Sequence, residues 1–287
     1  MKARDVAATP RRRCPPCATG RRRHLLRRGR RSNAGAFTLV ELLVVIAIIS
    51  IVAALIFSAV KSARESAGAA KCLGNLRSLA EANGRYAGEH NGQYCYAQEK
   101  SNKVRWHGSR TSVSEKFDAT QGPLAPYLGR DGRVKECPTF QQFLSGKESF
   151  ENGSGGYGYN AIYIGGTPRN KWEGENMNNI PRPERTLMFA DTALAREDGV
   201  QEYPYAEPYQ WVAPNGRLAG PLSPSVHFRH GGKANVVWCD GHASPELPKR
   251  LGSEKNSYGG DEGKNSLGWV GPEVENGYWN PRRKLEE

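Results

Sequence analysis

Phe37-Thr38-Leu39-Val40-Glu41 begins a stretch that continues Leu42-Leu43-Val44-Val45-Ile46-Ala47-Ile48-Ile49 and stays apolar to Val60. From Phe37 to Val60 the only ionisable side chain is Glu41. A helix of twenty-four residues rises roughly 36 Å at ~1.5 Å per residue, enough to cross a bilayer. A carboxylate near the end of such a helix costs about 2.5–3.5 kcal/mol when fully submerged, so an acid placed there is a functional candidate whose partner should be named.

The residues in front of Glu41 supply a context for it. A basic segment, the small residues Gly35 and Ala36, then Phe37, three uncharged residues and an acid resemble the processing site of type IV prepilins and type II secretion pseudopilins. The resemblance implies that a membrane prepilin peptidase cuts just before Phe37 and N-methylates it, and that Glu41, at mature position five, answers the new amine. That family usually has Gly before the cut, whereas this chain has Ala36. A cut after Gly35 would move Glu41 to position six, so the processing site is placed between Ala36 and Phe37. An α-ammonium inside a bilayer needs an anion, and a packed neighbouring helix can present one.

The charge balance divides at the same place. Residues 1–36 hold Lys2 and eleven arginines against Asp5, a net of +11; removing it from the whole-chain +12 leaves +1. The basic character therefore belongs to the leader, and no nucleic-acid partner is expected. An Arg-rich flank before an apolar helix is retained in the cytoplasm, which would put the C-terminal part outside the inner membrane in a single pass. Arg21-Arg22-Arg23-His24-Leu25-Leu26 is a looser match to a twin-arginine signal, and the apolar run exceeds the core of a cleavable signal. Cys14-Pro15-Pro16-Cys17 lies in the segment to be removed.

Beyond Val60 the helix is expected to continue as an amphipathic half, residues 61–92. Ala63, Ala67, Ala70, Leu73, Leu76, Ala80 and Asn83 recur at three- and four-residue steps, and Asn91-Gly92 is a C-terminal stop. Residues 93–250 read as an antiparallel β-rich head with long loops, with short β-prone runs at 93–96, 157–164, 186–190 and 234–239 between turn clusters. Residues 251–287, rich in Gly, Asn, Glu and Lys, read as an irregular tail partly ordered by Trp269 and Trp279. The fold class is thus α+β, with the pilin-like layout of one long helix, transmembrane then amphipathic, packed on a sheet.

Within the head, His230, nine residues and then Asp240-Gly241 match the H-X9-DG signature of a group of prepilin-like proteins, and Cys72-Leu73-Gly74-Asn75-Leu76, Glu136-Cys137-Pro138, Gly158-Tyr159-Asn160 and Phe189-Ala190-Asp191 agree with that group. If Gly231-Gly232-Lys233 forms the turn, His230 lies opposite Ala234, and Asp240 is roughly 20 Å further on at ~3.3 Å per residue. The expectation is that His230 caps the hairpin, Asp240-Gly241 makes a turn, and Phe228, Val236 and Trp238 face the core. A metal site would need Asp191 to join Asp240 and His242; Asp261 and Glu262 beside Gly259-Gly260 are weak calcium donors.

The mature chain keeps Cys72, Cys95, Cys137 and Cys239. Three connectivities exist, with four buried thiols as the alternative; the expected pairs are Cys72 with Cys137 and Cys95 with Cys239. No Gly-x-Ser-x-Gly elbow, phosphate-binding glycine loop or His-Glu-x-x-His pair is present, and no enzyme is expected. The expected function is a structural subunit processed by prepilin peptidase and assembled with other pilin or pseudopilin subunits by an inner-membrane platform. The competing class is a membrane-tethered binding module, for example for carbohydrate, that uses the helix only as an anchor.

Overall fold

The structure, a computed structural model, describes residues 37–145, 151–168, 170–253 and 255–283. The basic segment 1–36, including Ala36 of the expected processing site, lies outside the described residues. The chain divides into two units, residues 1–52 and 53–287.

The main helix, α1, runs Leu39–Glu89. Thr38 and Glu41 start it with a reciprocal capping box: the Glu41 N–H donates to Thr38 Oγ1 (3.2 Å), and the Thr38 N–H donates back to Glu41 Oε2 (2.9 Å). At the other end Asn91 adopts φ 53° and the Gly92 N–H donates to Ala87 O (2.8 Å), the six-to-one bond of a Schellman stop. Up to Val60 the large apolar side chains are exposed.

Within the second unit the buried helical positions are Cys72, Leu76, Leu79, Ala80, Ala82, Asn83 and Ala87. The stripe is therefore shorter than its sequence periodicity suggests: Ala63, Ala67 and Ala70 are exposed, and contact with the head begins near Gly68. There Thr139 comes so close that a β-carbon on residue 68 would lie 2.7 Å from its Oγ1, which suits glycine.

The central sheet contains β1 (Tyr157–Tyr159) and β2 (Leu187–Asp191). A second sheet begins with β3 (Val226–His227), followed by β4 (Ala234–Trp238) and β5 (Ala243–Glu246) of the first, then β6 (Arg250–Leu251) and β7 (Leu267–Trp269). The orders are β5-β4-β2-β1 and β6-β7-β3, all antiparallel. In the central pair Val236 faces Ala190 and Val237 faces Phe189 across the ladder.

Every residue of β2 and β4 is buried, because the sheet is covered on both faces. Tyr157, Tyr159, Phe189 and Val237 share one core with Cys72, Leu76 and Leu79 of α1. Leu187, Ala234, Val236 and Trp238 share the other with Phe228, Tyr209, Trp269 and Trp279.

That second core corrects the reading of residues 251–287. Leu267, Trp269, Val270 and Trp279 are buried, Trp279 Nε1 donates to Ala206 O (2.8 Å), and Tyr209 stacks on Trp269. A boundary at 250/251 would cut through β6. The partners of these aromatics lie some sixty or more residues away in sequence, so local composition alone reads as a tail. The run 157–164 is likewise strand only to Tyr159; Asn160 then turns the chain, accepting the Ile164 and Gly165 N–H groups on its carbonyl.

Candidate functional site

Two places were singled out by sequence, the N-terminal stretch and the H-X9-DG hairpin. At the first, Phe37 is exposed and the Glu41 carboxylate accepts from both the Thr38 N–H and the Thr38 hydroxyl (2.8 Å). Glu41 thus has donors in its own first turn, where the helix dipole also favours an anion. The Thr-x-x-Glu spacing is the local sequence signal for this pairing.

At the second, Gly231 and Gly232 both take positive φ (61° and 78°), and His230 pairs with Lys233. The turn therefore has two residues rather than three, and His230 lies opposite Lys233 instead of Ala234. Two consecutive left-handed residues fit the twist of a two-residue hairpin turn, and glycines reach it at no steric cost.

His230 does more than cap the hairpin. Its side chain is 3 % exposed and its Nε2 lies 3.2 Å from Asp191 Oδ2. Asp191 also accepts from Arg229 Nη2 (2.6 Å) and from the Asn235 N–H (2.7 Å). The Arg229 and Asp191 side chains are both fully buried. Arg229 donates further to Gly156 O, Thr192 O and Cys137 Sγ, and its guanidinium lies over the Phe140 ring. A buried charge pair is tolerable only with its remaining groups satisfied in this way. Arg229 and Asn235 were not singled out as site residues by the sequence reading.

Asp240, Gly241 and His242 are elsewhere. Asp240-Gly241 turns the chain out of β4, Gly241 with φ 88°, and Asp240 Oδ1 accepts from the His242 N–H (3.0 Å) and lies 2.7 Å from His242 Nδ1. Asp191 sits beside Asn235, five residues before Asp240 and roughly 16 Å along the strand at ~3.3 Å per residue. Asp191, Asp240 and His242 therefore do not form the metal site considered from sequence. Asp261 spends Oδ1 on the Lys264 N–H (2.8 Å), and Glu262 is buried.

Cys72 and Cys137 form a disulfide joining α1 to the loop before Phe140. Cys95 and Cys239, expected to pair, are free buried thiols. Tyr94 is the residue that reaches Cys239, its hydroxyl donating to Cys239 O, while Cys95 turns its sulfur to Tyr96 O. Burial raises both thiol pKa values, leaving the protonated form. Other docking of α1 is polar: Asn83 donates to the Tyr159 hydroxyl (2.9 Å) and accepts the Cys95 N–H (2.8 Å), and Asn75 donates to the Tyr157 hydroxyl (3.0 Å).

A long helix, exposed and apolar at its N-terminal end and leading to a head of antiparallel sheets, is an α+β architecture with a pilin-like layout. Residues 31–57 match the family described as the prokaryotic N-terminal methylation motif. The match supports a type IV pilin-like precursor anchored in a membrane, and it marks a structural substrate of processing rather than an enzyme family. No curated protein and no solved structure matches the chain.

Proposed function

We propose that the chain is a structural pilin or pseudopilin-like subunit. In this reading it inserts in the inner membrane with its +11 leader in the cytoplasm and its head outside. Prepilin peptidase cuts between Ala36 and Phe37 and methylates Phe37. An inner-membrane platform then packs the apolar helices of successive subunits into a type II secretion pseudopilus or a type IV pilus-like filament.

The observation that carries the reading is the segment Phe37–Val60. Among the described residues, none of its most apolar stretch is buried. So much exposed apolar surface requires lipid or another protein. Glu41 is held at the helix start by Thr38, and pairing it with the methylated Phe37 amine of a neighbour would set register, a role that buried polar pairs can fill.

The H-X9-DG signature then serves the head. His230 ties the start of the hairpin to Asp191, and Asp240-Gly241 turns β4 into β5. A carbohydrate-stacking module has less support, because Trp106, Trp238, Trp269 and Trp279 are buried in the cores.

The test is the N-terminal peptide mass of the protein from host membranes, with and without an active prepilin peptidase. A chain beginning at N-methyl-Phe37 only when the peptidase is active is the expected result. A retained leader, or a cut beyond Val60, would overturn the assembly reading.

A further inference from the structure

The disulfide does not stand alone. Among the described residues, Cys72, Cys137 and His230 bring their ligand atoms within 4.8 Å of one another. His230 Nε2 lies 3.7 Å from Cys137 Sγ and 3.2 Å from Asp191 Oδ2. The four ligand atoms of a tetrahedral zinc site lie roughly 3.3–3.8 Å apart, given bonds of about 2.0–2.3 Å. Once the disulfide is open, its sulfurs need only part to non-bonded distance.

We propose that the reduced chain binds one Zn²⁺ through Cys72, Cys137, His230 and Asp191, and that oxidation to the disulfide releases it. The inference rests on the C-terminal half of α1 and the head, and is independent of the pilin reading.

Charge balance favours it. In the disulfide form the buried pair Asp191 and Arg229 is neutral. Two thiolates add two negative charges at buried positions, which is costly unless compensated, and one Zn²⁺ cancels them. The surrounding groups suit a zinc shell. Arg229 Nε donates to Cys137 Sγ (3.4 Å), and Arg229 Nη2 and the Asn235 N–H hold Asp191, as outer partners hold ligands in zinc sites.

A cleft of about 380 Å³, lined by Ser62, Glu65, Ser66, Arg229 and His230, supplies an approach from solvent.

The exchange balances when the oxidant is itself a disulfide. Its S–S bond takes two electrons from the two thiolates and two protons from solvent, leaving as a dithiol. The Cys72–Cys137 bond forms and Zn²⁺ departs. Zinc would thereby guard this pair of thiols until the bond that joins α1 to the head is made.

The experiment uses the full chain with Cys14→Ser and Cys17→Ser, so that the leader thiols do not contribute. It is reduced by a phosphine in detergent micelles and titrated with Zn²⁺ against a chromogenic chelator. The expected result is one Zn²⁺ per reduced chain and none per oxidised chain, with X-ray absorption showing two sulfur and two nitrogen or oxygen ligands. His230→Ala should weaken binding at least tenfold, and His242→Ala should leave it unchanged. A reduced, folded chain without zinc would overturn the proposal, as would His230→Ala binding like the parent. If reduction unfolds the head, Zn²⁺ must restore its circular dichroism; failure to do so would also overturn it.

Discussion

Arg229→Met isolates the charge buried between α1 and the sheet. The substitution keeps much of the aliphatic stem and removes the guanidinium, which donates to Asp191, Gly156 O, Thr192 O and Cys137 Sγ. Gly156 O keeps the Thr192 N–H as a donor, so its loss is partial. Asp191 keeps the Asn235 N–H and His230 but is left as a fully buried charge without its cation. Removing one partner of a buried pair costs about 3–5 kcal/mol. With two donors remaining on Asp191, the lower part of that range is expected, about 3–4 kcal/mol. At a urea slope of about 2–3 kcal/mol per molar, the midpoint should fall by about 1–2 M. The assay is urea unfolding of the full chain in detergent micelles, followed by tryptophan fluorescence. The double variant Asp191→Leu with Arg229→Met should recover at least half of the loss, since apolar replacement of a buried pair is often neutral. A single variant whose midpoint stays within about 0.2 M of the parent would refute the argument that an uncompensated charge is left behind.

Thiol titration of the processed chain should find no reactive thiol when native and two after denaturation without reductant, from Cys95 and Cys239; four would mean the disulfide is absent. Losing that disulfide by Cys72→Ser with Cys137→Ser should cost about 4 kcal/mol for a loop closed across 65 residues, read from the same urea curves. His107 is buried with both ring nitrogens unpartnered, and burial, followed by the Arg105 charge, pushes its pKa down to about 3. Its folded form stays neutral while the unfolded chain takes up a proton below about pH 6.5, so stability present above that pH is lost as pH falls towards 3. Between pH 7.5 and 5.5 the parent should therefore lose about 1.4 kcal/mol more than His107→Phe. His227, pushed down by burial, acts in the same direction, and Glu202, pushed up by burial, acts in the opposite one, equally in both proteins. Asn83→Ala strands the buried Cys95 N–H and should cost about 2–3 kcal/mol, checked by thermal or urea unfolding. Glu41→Val should leave membrane insertion intact and abolish incorporation into filaments, measured by fractionation and shear release; normal filaments from that variant would remove the register role.

Much of the helix was legible because its determinants are local. The apolar run, the Thr-x-x-Glu start and the Asn-Gly stop each act within a turn or two, so α1 lies where residues 37–92 place it. The β-prone runs at 186–190 and 234–239 became β2 and β4 for the same reason. The hairpin register was misjudged by one residue, because two glycines can close a turn that three residues could also close. The depth of the helix stripe was overestimated, since periodicity shows which face is apolar and not how far the head extends along it.

By itself, the sequence determined the membrane-length helix, its single acid, the concentration of positive charge in residues 1–36 and the α+β class, all set by local hydrophobicity and propensity. Only the tertiary structure decided that Asp191 partners Arg229 and His230 rather than Asp240 and His242, that Cys95 and Cys239 stay apart, and that Trp269 and Trp279 belong to the core. Each of those outcomes depends on strand order and register between segments tens of residues apart. Pairing and burial across such separations are settled by how the layers pack together, which spacing along one chain does not encode.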